Sequence, residues 1–117
     1  MSELTQAEHI QKFAASLMEH AALHSNPDVW LWTGVMRHTE VYKHAIERRA
    51  NAPRKNLGHW DDKATKSEDD ALSGLAAFIK LKNPEGDLNG VVAELLDLRE
   101  NEFSLEDLTF HVLEKNK

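Results

Sequence analysis

NPDVWLWTGVMRHTEVYKHAIERRA, residues 26–50, places four consecutive apolar residues (Val29, Trp30, Leu31, Trp32) at one end and a cluster of positive charge at the other. Asn26 is suited to accept hydrogen bonds from free helix amides, and Pro27 at the first helical position loses nothing by lacking a donor. Asp28 in the first turn and Arg48 and Arg49 in the last oppose the two ends of the helix dipole, and Pro53 forbids continuation. The segment therefore predicts a helix over 27–50. Trp32, Val35, Met36, Thr39, Tyr42 and Ile46 recur at three- and four-residue spacing as its apolar stripe. Trp30 and Leu31 lie off that stripe, so the first two turns are apolar nearly all round. This predicts a central helix enclosed by its neighbours, with Trp30 either part of the core or an anchor for a partner. Gly34 costs roughly 1 kcal/mol against alanine in mid-helix, which implies either close approach of another helix or a kink.

Working outward, the N-terminal side predicts a helix over 5–24. Thr5 and Glu8 have capping-box spacing, and Leu4, Ala7, Ile10, Ala14, Leu17, Met18 and Ala21 form a stripe. His20 and His24 stand four apart, a weak metal signal that reads better as surface histidines. On the C-terminal side, residues 51–66 (NAPRKNLGHWDDKATK) show no helical periodicity and read as a long loop. Ser67 and Asp70 resemble a second capping box and predict a helix over 68–82, ended by Asn83, Pro84 and Gly86. Asp87 caps a helix over 88–100. Ser104 caps another over 105–115, with Phe103 and Leu108 at hydrophobic-staple spacing. The fold class that follows is all-α, a compact bundle of four to five helices in a single domain over 1–117.

The totals agree with this. At 117 residues and 41% apolar content the chain is a globular protein of one-domain size. No apolar run approaches the roughly 18 residues needed to span a bilayer, so no membrane partner is expected. The start, MSELTQAEHIQK, has no charged-then-apolar leader, and the absence of cysteine fits a reducing compartment, so a cytoplasmic location is expected. The net charge of −6 is uneven: residues 37–66 carry eight Lys/Arg against four Asp/Glu. Either the basic and acidic parts attract each other across a helix interface, the reading preferred here, or the basic part meets an anionic partner.

No glycine-rich phosphate loop, GxSxG elbow, HExxH or paired Cys/His zinc spacing occurs. Glu100, Glu102, Glu106 and Asp107 read as a solvated acidic face. No catalytic residue, metal ligand or cofactor is therefore expected. The function that remains is a non-enzymatic regulatory, adaptor or inhibitor protein acting through contact with another protein. Four short helices leave part of the aromatic-rich central one uncovered, which also admits a homodimer. The alternative is a nucleic-acid-binding regulator, with Arg48, Arg49, Arg54 and Lys55 on phosphates and Trp60 stacked on a base. The expected partner-binding residues are thus Trp30, Arg48, Arg49, Arg54, Lys55 and Trp60. A third class, a metal-dependent or hydrolytic enzyme on His20, His24 and helix carboxylates, has the least support.

Overall fold

A computed structural model describes residues 4–116. Among them the chain forms α1 (Gln6–Ala21), α2 (Pro27–Ala50), a 3-10 turn (Arg54–Asn56), α3 (Leu57–Lys82), α4 (Leu88–Asn101) and α5 (Leu105–Lys115), with no strand. It is an all-α bundle, as the periodicity predicts, and 83% of it is helical. No helix among the described residues is long and apolar enough to cross a membrane.

Most boundaries follow from local caps. The Thr5 hydroxyl accepts from the Glu8 amide while the Glu8 carboxylate accepts from the Thr5 amide, closing the predicted capping box. Asp87 accepts from the amides of Asn89 and Gly90, and Ser104 from that of Asp107. Two expected caps are not made. Asn26 precedes α2 but its side chain makes no capping bond, so Pro27 marks the start there. Ser67 lies inside α3, where its hydroxyl donates to the Lys63 carbonyl at 2.8 Å.

That second difference belongs to a larger one. The expected loop over 51–66 is short: after Pro53 the chain makes one 3-10 turn and enters α3 at Leu57. The reason lies in side-chain size. Leu57, Trp60, Ala64, Ser67 and Ala71 follow helical spacing and are at least partly buried, but Ala64 and Ser67 are too small to register as an apolar stripe. Gly58 does not interrupt the helix, because a glycine in helical conformation costs only about 1 kcal/mol.

The most enclosed helix is α3 rather than α2. Every residue from Asp70 to Phe78 (DALSGLAAF) is buried, whereas burial in α2 falls only on Leu31, Val35, Thr39 and Ala45. Small residues explain the exchange. Ala71, Ser73, Gly74, Ala76 and Ala77 let neighbouring helices approach α3 from all sides, as dense packing requires. Side chains from all five helices meet around it in one cluster, among them Ile10, Leu31, Val35, Leu72, Leu75, Val92, Leu95, Leu105, Leu108 and Val112. Within α2 the stripe turns slightly from its expected line, with Leu31 in the core and Ile46 42% exposed.

α2 and α3 approach closely at Gly74. A Cβ there would lie 2.6 Å from the Val35 Cγ2 methyl, closer than carbon atoms pack. Of the two readings of Gly34, close approach or a kink, the first is not met: a Cβ there would meet nothing within 4 Å, and the close approach lies at Gly74. A polar tie closes the other side of the bundle. Arg99 of α4 donates to the Tyr42 hydroxyl of α2 at 2.9 Å and to the Glu68 carboxylate of α3 at 3.0 Å.

Candidate functional site

The feature that stands out is a groove of about 470 Å³ where the turn after α1 meets the first half of α2 above α3. Its apolar part is built from Leu17, Val29, Trp30, Leu31 and Val35, and its polar end from Arg37, His38 and Asp70. Trp30, Gly34 and His38 are successive i, i+4 positions and so share one face of α2. Between two large side chains, the missing side chain of Gly34 leaves a notch, and Gly74 lies in the lining from the α3 side. From Trp30 to His38 this face runs about 12 Å at 1.5 Å per residue.

Geometry and charge differ between its ends. At the apolar end the Trp30 ring is half-buried and stacks on His24, with centroids 4.7 Å apart and planes 19° apart. Val29, in the lining itself, is 58% exposed, and Leu23, in the turn that leads to His24, is 84% exposed. At the polar end Asp70 is only 8% exposed. Its Oδ2 accepts from Lys66 Nζ at 3.3 Å and lies 3.9 Å from His38 Nδ1, so the carboxylate already has a cation beside it. Arg37 is exposed and makes no ion pair among the described residues. The arrangement suits an apolar body with polar groups at one end, which is the general make-up of a binding pocket.

The expected partner-binding residues do not come together. Trp30 lines the groove. Arg48, Arg49, Arg54, Lys55 and Trp60 lie instead toward the far end of the α2–α3 hairpin: Arg48 is 18 residues on from Trp30, about 27 Å along α2, and Trp60 packs against His44, 14 residues on and about 21 Å along it. There Arg49 pairs with Asp61, and Arg48 donates to His44. Arg48, Arg54 and Lys55 have no carboxylate partner among the described residues. Trp60 is half-buried: His44 and His59 meet it edge-on at 6.1 and 4.8 Å, and Lys63 Nζ lies 5.8 Å from its ring. Between the basic segment and the acidic C-terminal half, Lys43 pairs with Glu106 at 3.4 Å and His38 Nδ1 lies 3.9 Å from Asp70 across helix interfaces. His20 and His24, four apart in the sequence, make separate contacts: His20 Nδ1 donates to the Ser16 carbonyl at 2.8 Å while His24 stacks on Trp30.

Sequence reading missed Gly34, Arg37, His38, Asp70 and Gly74 as site residues. One signal for them exists in the sequence: a glycine exactly one turn from a tryptophan and one turn from a histidine marks a notch on a helix face. No protein-family model, curated protein sequence or solved structure matches the chain.

Proposed function

We propose that the protein is a non-enzymatic regulatory binding protein, an adaptor or inhibitor, whose groove receives an apolar helix of another protein. One observation carries this reading: a preformed apolar groove opens beside exposed Leu23 and Val29, so apolar surface extends beyond what a small ligand would cover. A helix laid along α2 would set its side chains in the notch over Gly34 and against Trp30, the usual helix-in-groove mode. A cytoplasmic partner fits a chain without cysteine.

The experiment uses Gly34→Leu. Its Cβ meets open space, and leucine is the better helix former, so the variant fills the groove while keeping the fold. Protein captured from host cells by the wild-type chain is identified, purified and titrated against both forms. The expected result is affinity reduced by about 1.4 kcal/mol or more, a tenfold change. Equal affinity for the two forms removes the groove from the function.

The nucleic-acid alternative rests on Arg48, Arg54 and Lys55, cations on one hairpin end that have no acidic partner among the described residues. If they contact phosphates, binding of single- or double-stranded probes in a mobility shift falls steeply between 50 and 200 mM salt, about one log-log unit per phosphate contact. No shift at the lower salt disposes of it.

A further inference from the structure

We propose that the groove selects an acidic amphipathic helix: apolar side chains a turn apart fill the notch over Gly34 and cover Trp30, and a carboxylate two turns along meets Arg37. This rests on the helix-docking reading above and names the chemistry of the partner.

Charge complementarity is the first argument. Arg37 closes the polar end of the groove and has no acidic partner among the described residues. Asp70, the carboxylate in the lining, stands beside Lys66 Nζ and His38, so it does not set the sign of that end. Glu40 is exposed one turn beyond and makes no ion pair with Arg37. A cationic residue of a partner would therefore meet the Arg37 guanidinium and be repelled, and an anionic one would neutralise it, most strongly in the two-pronged geometry that arginine offers a carboxylate.

Spacing is the second. Trp30 and Arg37 are seven residues apart, about 10.5 Å along α2, and a partner helix lying alongside covers the same distance between its own positions i and i+7. Positions i, i+3 and i+4 then face the apolar part, and i+7 faces Arg37.

A second copy of this chain is the competing occupant, because α5 carries Phe110, 49% exposed, with Glu106 and Asp107 exposed one turn before it. Its position argues against it. Glu106 pairs with Lys43, which is nine residues on from Gly34 and so faces about 180° around α2 from the notch. Such a contact joins opposite sides of two molecules and propagates head to tail without closing a pair.

The test is a displayed library of 16-residue alanine-based helical peptides, randomised at i, i+3, i+4 and i+7. It is selected on the wild-type chain and counter-selected on Gly34→Leu. The expected outcome is apolar residues at the first three positions and Asp or Glu at the fourth. Arg37→Glu then weakens the selected peptide about tenfold, and fresh selection on that variant returns Lys or Arg at i+7. Apolar peptides that depend on Gly34 but show no acidic preference overturn this inference and leave helix docking standing. No Gly34-dependent peptide at all overturns both. Concentration-dependent self-association in light scattering, lost in Gly34→Leu, gives the groove to a second copy and overturns the acidic-partner inference as well.

Discussion

Gly74→Val is expected to destabilise the fold by about 3 kcal/mol, at the upper end of what overpacking costs in a dense core. The new Cβ alone would lie 2.6 Å from Val35 Cγ2. Val35 cannot swing aside, because it is fully buried and a β-branched side chain in a helix has essentially one rotamer. The substitution therefore separates α2 from α3, the two longest helices. Relief should come from the neighbour: Val35→Ala in the same chain should recover part of the loss, so the two effects will not add. Urea unfolding of the two single variants and the double variant measures this. The Gly34→Leu variant provides the contrast, since the same kind of substitution one residue before Val35 meets open space and should leave stability unchanged or raised. Equal losses at positions 34 and 74 would mean that the α2–α3 crossing has been misplaced.

Leu75→Ala should cost about 3–4 kcal/mol, within the range found for leucine truncation in rigid cores. Leu75 is wholly buried, on the helix that the other four surround. It sits in the core cluster to which all five helices contribute, and held side chains around it relax only partly, so a cavity should persist and add to the lost transfer energy. For a chain of this size the melting temperature should fall by on the order of 10 °C. Leu23→Ala is the control. That leucine is 84% exposed, and its removal should change stability by less than about 0.5 kcal/mol. Similar effects at the two positions would deny α3 its place at the centre of the core.

These variants also separate what could be read locally from what could not. Thr5 with Glu8, Asp87, Ser104, Pro27 and Pro53 announce helix ends, because a cap is an interaction among residues three or four apart. The groove is of another kind. Trp30 draws notice from composition alone, but Gly34 and Asp70 are 36 residues apart and become neighbours only when α3 folds back along α2. The hairpin end shows the same limit in reverse. Residues 37–66 are basic on paper, yet the contact of His44 with Trp60 depends on two helices meeting.

By itself, then, the order of residues determined an all-α chain and the ends of most of its helices. Periodicity and capping act within a few residues and need no partner element. The tertiary structure alone decided which helix lies innermost, where two backbones touch and where a groove stays open. The physical reason is that burial belongs to the surfaces that meet. Small side chains such as Ala71, Ser73 and Gly74 contribute little hydrophobic pattern, and their value lies in how closely other helices can come. A large indole such as Trp30 attracts attention in the sequence, but whether it fills a core or borders a cleft depends on what a distant segment places over it.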